Sequence, residues 1–151
     1  MSKDDPAATI LLVDDNANGL TARKLILVEQ GYSVETALSG EAAWELFQTI
    51  HFDVVVTDYK MTGMDGIELI RLIRESQSPA RIIMLSGYAA RAGLTPVAIG
   101  ADELLAKSNK EVPELLRAVK KLSARPRGRG ISSARTSGQA ASRRISTKRA
   151  G

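Results

Sequence analysis

Five short apolar runs alternate along the chain with longer stretches whose apolar residues recur at helical spacing, and each run stops at polar residues. Thr9 to Val13 (TILLV) ends at Asp14-Asp15, Asp53 to Thr57 at Asp58, Arg81 to Leu85 at Ser86-Gly87, and Asp102 to Ala106 at Lys107. Tyr32 to Leu38 is the remaining strand candidate. The third run is the most telling: in VVVTDYKMTGMDG, β-branched residues suited to a buried strand lead straight into an aspartate and a glycine-studded loop. Asp and Gly are ordinary turn formers, so this stretch by itself does not separate a turn from a working carboxylate.

Between the runs lie helices. Residues 18 to 30 put Leu20, Lys24, Leu27 and Val28 at helical spacing, and Gly31 stops them. Ser39 caps a helix through Ile50, with Ala43, Leu46, Phe47 and Ile50 facing inward and Trp44 partly packed beside them. Asp65 followed by Glu68 has the form of a capping box and opens a helix with apolar Ile67, Leu69, Ile70 and Ile73. A weaker stretch from about Ala89 to Ile99 is interrupted by Gly93 and Pro96. Residues 110 to 123 close the pattern with Leu115, Leu116, Val119 and Leu122 inward, Pro113 being tolerated in the first turn. Strands alternating with helices imply right-handed crossovers. The predicted fold is α/β, a doubly wound five-stranded parallel sheet with helices on both faces. Ligands of such sheets bind beyond the carboxyl ends of the strands.

Composition narrows the chemistry. Without cysteine there is no disulfide, thiolate nucleophile or Cys-based zinc site. Lone His51 cannot build a metal site, and it falls where a helix ends, so a solvated or half-buried imidazole is expected. No apolar run approaches the ~20 residues that cross a bilayer, and the N-terminus lacks the apolar core of a signal peptide, so the cytoplasm is the expected location. The net charge of +4 averages two unlike segments. Eight of the 21 basic residues lie beyond Ser123 with no acid among them, which leaves 13 against all 17 acids and a formal charge of −4 before it. Residues 1 to 8 are read as an arm, 9 to 123 as the domain and 124 to 151 as a basic tail.

Asp14, Asp15, Asp58, Ser86 and Lys107 all fall at one edge of the predicted sheet. Each alone could be a cap, a turn or a solvated charge, but together they gather three carboxylates, a hydroxyl and an ammonium. Three adjacent carboxylates need raised pKa values or a cation. Mg²⁺ suits them, since it prefers oxygen ligands from one or two carboxylates, waters and a phosphate. Lys107 would pair with a carboxylate until a phosphoryl group arrives, and Ser86 could donate a hydrogen bond to that group. These parts suit in-line phosphoryl transfer onto a carboxylate.

With LLVDD (11 to 15), GYSVETALSGEAAWEL (31 to 46), DVVVTDYKMTGMDGIELI (53 to 70), IIMLSGYA (82 to 89) and GADELLAK (100 to 107) in hand, residues 9 to 123 resemble the receiver domain of two-component response regulators. The resemblance implies a flavodoxin-like strand order 2-1-3-4-5 and Asp58 as phosphoacceptor. It implies Mg²⁺ held by Asp15, Asp58 and the backbone carbonyl of Lys60, with Asp14 assisting through water. Ser86 would follow the phosphoryl group on activation, and Lys107 would pair with it. The donor would be a phosphohistidine on a sensor histidine kinase or a histidine phosphotransfer protein. Output would pass by protein contact through the face of helix 4, strand 5 and helix 5. Such a protein is not an enzyme beyond its own phosphorylation and dephosphorylation, and whether its phosphorylated form dimerises is left open. Lys60 and Tyr88, two residues beyond Asp58 and Ser86, flank the approach of a hydrolytic water and are expected to lengthen the life of the phosphorylated state.

Three positions depart from the family pattern. Ser108 stands where a cis-proline usually follows the lysine, Leu104 where an aromatic switch residue is usual, and Thr62 where a proline is usual. A cis bond without proline costs about 3 kcal/mol, so the loop at Ser108 is expected to differ. Among other readings, an aspartyl phosphatase would carry Asp-x-Asp, but Lys60 occupies its second position. A dinucleotide site would need Gly-x-Gly-x-x-Gly after strand one, which is absent. The tail (ARPRGRGISSARTSGQAASRRISTKRAG) lacks the helical periodicity and aromatics of a DNA-reading module. It is read as a solvated extension, with phosphorylation-controlled binding to nucleic acid or another anionic surface as the alternative.

Overall fold

The computed structural model describes residues 7–87 and 92–124. Strands β1 (Thr9–Val13), β2 (Ser33–Ala37), β3 (Val54–Asp58), β4 (Arg81–Ser86) and β5 (Glu103–Ala106) form one parallel sheet in the order β2-β1-β3-β4-β5. Between them run α1 (Ala17–Glu29), α2 (Gly40–Thr49), α3 (Gly66–Glu75) and α4 (Pro96–Ile99), and α5 (Glu111–Ala124) follows β5.

The apolar runs are continuous because both faces of the sheet are covered. Successive side chains alternate between two cores. Ile10, Leu12, Val54, Val56, Ile83 and Leu85 pack with Leu20 and Leu27 of α1 and Leu115, Val119 and Leu122 of α5. Leu11, Val13, Val55, Ile82 and Met84 face the other way, onto Ala43 of α2 and Leu69, Ile70 and Ile73 of α3. Trp44 stacks on Phe47 and Phe47 on Phe52 at the margin of that second core, the partly packed role expected of it. The helix starts follow the sequence signals: Ser39 accepts from the Ala42 N–H, and Asp65 from the Glu68 N–H.

Several boundaries and faces differ from the expectation. Strand β2 is shorter at both ends, and Leu38 turns to solvent where the chain bends toward the Ser39 cap. On α1, Lys24 is exposed and Val28 is 46% exposed, so the inward stripe runs through Leu20, Arg23 and Leu27 instead. On α2 only Ala43 of the expected stripe is fully buried; Leu46, Phe47 and Ile50 are partly so. Asp102 lies just before β5, where its carboxylate takes the Ile82 N–H and the guanidiniums of Arg74 and Arg81. Of the weak helix expected from about Ala89, residues 89–91 lie outside the described residues; Ala92 is helical, and beyond Gly93 comes the single turn α4, which Thr95 caps and Gly100 (φ 83°) ends. The His51 imidazole is mostly exposed, 3.5 Å from Asp53.

Candidate functional site

Register brings the polar ends level. Val13 pairs with Thr57 and Asp58 with Leu85, so Asp14, one residue past β1, stands beside Asp58. Ser86 pairs with Ala106, and the Lys107 N–H extends the ladder to the Ser86 carbonyl at 3.2 Å. Asp14, Asp58 and Ser86 are buried, whereas Asp15 is exposed. One carboxylate oxygen from each of Asp14, Asp15 and Asp58 lies within 4.8 Å of the others.

Lys107 crosses the rim to this trio. Its Nζ is 2.5 Å from Asp58 Oδ1, with the lysine side chain 35% exposed and that of Asp58 8%. The approach is an ion pair whose angles leave Oδ1 without a well-directed hydrogen bond; the separation, rather than the angle, governs its electrostatics. Burial raises the Asp58 pKa above the usual aspartate value; Lys107 opposes this, the Asp14 charge adds to it, and Arg23 lowers it slightly.

Each of the other two acids has a protein partner. Asp14 Oδ1 accepts the Asn16 N–H at 2.9 Å, and Oδ2 meets Arg23 at 2.6 Å. Asp15 Oδ2 accepts the backbone N–H of Thr62 at 3.1 Å, a donor that proline at this position would lack. The loop carrying Thr62 is pinned further on, where Glu41 accepts the Met64 N–H at 3.1 Å. Gly66 then brings α3 onto the end of β3: its N–H reaches the Tyr59 carbonyl at 2.8 Å, and a Cβ there would lie 2.3 Å from the Asp58 carbonyl oxygen.

Of the residues singled out in the sequence, Asp14, Asp15, Asp58, Ser86 and Lys107 gather at one rim. The Lys60 ammonium is held 4.7 Å over the Tyr59 ring. Leu104 is partly buried against the core on the α2 and α3 side. Among the described residues no peptide bond is cis, so the Lys107–Ser108 bond, whose isomer the sequence left open, is trans. Tyr88 lies outside the described residues. The sequence reading missed Arg23, Glu111 and the Thr62 amide. For Arg23 a signal existed, since it falls on the helical side shared by Leu20 and Leu27, where a charge needs partners.

Comparison with known proteins places this geometry. The model of the response regulator receiver domain matches residues 10–120. Among curated proteins, the gliding motility regulatory protein of Myxococcus xanthus is 34% identical over 119 residues, covering 75% of this chain and 15% of that protein. The transcriptional regulatory protein FixJ of Bradyrhizobium diazoefficiens is 31% identical over 104 residues, 69% of this chain and 49% of that protein. The chain thus spans half or less of these relatives' lengths. Among solved structures, the response regulator TrrA of Thermotoga maritima, in complex with Mg²⁺-BeF, is 39% identical with a TM-score of 0.67, covering 76% of this chain and 98% of that one. A response regulator from Chloroflexus aurantiacus is 31% identical with a TM-score of 0.72, covering 79% and 99%.

Proposed function

Because the chain belongs to the response regulator receiver domain family, we propose that it accepts a phosphoryl group on Asp58 and signals in that state. The observation that carries this reading is the buried Asp58 carboxylate paired with Lys107 inside a trio of acids at the carboxyl edge of the sheet. An Asp58 oxygen attacks phosphorus in line with the leaving nitrogen of a phosphohistidine; the O–P bond forms as the P–N bond breaks, and the imidazole leaves with the electron pair and takes up a proton. Lys107 is placed to follow the incoming charge from the carboxylate to the phosphoryl oxygens, and Ser86, at the next strand end, to donate a hydrogen bond to it.

The site suits a hard divalent cation, since its donors are carboxylate oxygens close enough to share one ion. Asp15, Asp58 and the Lys60 carbonyl would hold Mg²⁺, with Asp14 through water; when bound, the ion supplies positive charge to the acceptor and phosphoryl oxygens. The donor is a sensor histidine kinase or histidine phosphotransfer protein. Helix α1 starts beside the site and leaves Leu25 65% exposed, together with Val28, so it offers an apolar surface for such a partner. Output passes by protein contact on the α4, β5 and α5 side, where Val97 and Val112 are exposed. The test is mass spectrometry after acetyl phosphate and Mg²⁺ treatment. Wild type should gain one phosphoryl group and Asp58→Asn none; equal labelling of the variant would remove Asp58 from the role.

A further inference from the structure

One buried charge at the site is unused by the acceptor chemistry. The Arg23 side chain is only 11% exposed, on the inward side of α1, and it joins two acids from distant parts of the chain. One terminal nitrogen lies 2.6 Å from Asp14 Oδ2, and Nε lies 2.7 Å from Glu111 Oε2 in the first turn of α5. Burial by itself would lower the Arg23 pKa, but the hydrogen bonds and charges of Glu111 and Asp14 outweigh it and the net shift is upward. The guanidinium is therefore a fixed positive charge. A buried cation of this kind is tolerated because both of its partners are anionic.

We propose that Arg23 is a resident counter-cation of the acceptor site: it holds Asp14 in place, is itself anchored by Glu111, and sets how tightly the site binds a divalent cation. The inference rests on the acceptor reading above. With Oδ2 on Arg23 and Oδ1 on the Asn16 N–H, Asp14 has a defined orientation before any ion arrives. Part of the trio's repulsion is thereby already relieved. The same charge repels an incoming dication, so the site exchanges affinity for a carboxylate that stays in position without the ion. Glu111 offsets the guanidinium from the far side, so losing Glu111 should act opposite to losing Arg23.

Mg²⁺ titration calorimetry on the full chain tests this. Removing the charge in Arg23→Met should tighten Mg²⁺ binding about tenfold, the order Coulomb's law gives for a unit charge acting on a dication across a side-chain length in a water-like medium. Glu111→Gln should weaken it severalfold, and Arg23→Lys, which keeps the charge, should stay near wild type. A merely structural clip predicts weaker binding in both Arg23→Met and Glu111→Gln, because both loosen the site. Unchanged or weaker binding by Arg23→Met overturns the proposal; if that variant does not fold, unchanged or tighter binding by Glu111→Gln overturns it. Phosphoryl labelling that still requires Asp58 would leave the acceptor reading standing in either case. Failure of the wild type to bind Mg²⁺ would overturn both.

Discussion

Replacing Gly66 by alanine should damage both stability and phosphoryl acceptance, although alanine is the better helix former. The added Cβ would lie 2.3 Å from the Asp58 carbonyl oxygen and 3.1 Å from Tyr59 Cα, backbone atoms at and just past the buried end of β3. Relief requires the backbone at Asp58 to move by ~1 Å to restore ordinary contact. Overpacking of this kind costs ~1–3 kcal/mol. Weakening the 2.8 Å bond from the Gly66 N–H to the Tyr59 carbonyl adds ~1 kcal/mol, and helix preference returns at most ~1 kcal/mol. The net loss is ~1–3 kcal/mol, which at a urea dependence of ~1–3 kcal/mol/M lowers the unfolding midpoint by ~1 M. Because the displaced atoms belong to Asp58, the proposed acceptor, labelling by acetyl phosphate should slow on the order of 10–100-fold. Gly87→Ala is the matched control, for among the described residues nothing lies within 4 Å of its added Cβ, and its φ is not left-handed. Its midpoint should hold or rise by the equivalent of ~0.5 kcal/mol. A Gly66→Ala protein as stable as wild type and labelled at the same rate would refute the close approach as the device that positions Asp58.

Three further outcomes are expected. Asp58 has its pKa raised by burial, so its charged form costs stability, a cost absent below the ordinary aspartate range and present once pH passes the raised value. Asp58→Asn should therefore be the more stable protein at neutral pH, with the gap in urea midpoints closing as pH falls; a gap that widens toward acid would contradict the shift. Lys60→Asn should change the decay of the phosphorylated form by less than about twofold if the ammonium stays on the Tyr59 ring, whereas faster decay on a phosphate-release time course would show that it leaves the ring to shield the phosphoryl group. For the basic tail, binding to duplex DNA should weaken with a log–log salt slope of about −0.9 per neutralised phosphate, and a chain ending at Ala124 should lose it in a salt-series titration; equal binding by the shortened chain would dismiss the tail as the contact.

The sequence by itself determined the architecture and singled out the polar residues that meet at one edge of the sheet. Five apolar runs separated by helical periodicity require two buried sheet faces, and the polar residue closing each of four runs is visible without coordinates, because a strand that ends in Asp58 or Lys107 breaks its own pattern. The caps at Ser39 and Asp65 were legible for a related reason: capping acts over three or four residues, within the reach of a sequence window. Only the tertiary structure decided how the site is wired. The Arg23–Asp14 and Arg23–Glu111 contacts span 9 and 88 residues, and the Thr62 amide meets Asp15 across 47. The last is made by a backbone group that every residue except proline carries, so Thr62 in place of the usual proline permits the contact but does not name its partner. The inward face of α1 was misjudged by one position because at 3.6 residues per turn Arg23 and Lys24 are both plausible neighbours of Leu20 and Leu27. The anions waiting at Asp14 and Glu111 select Arg23, and a local pattern contains neither of their positions.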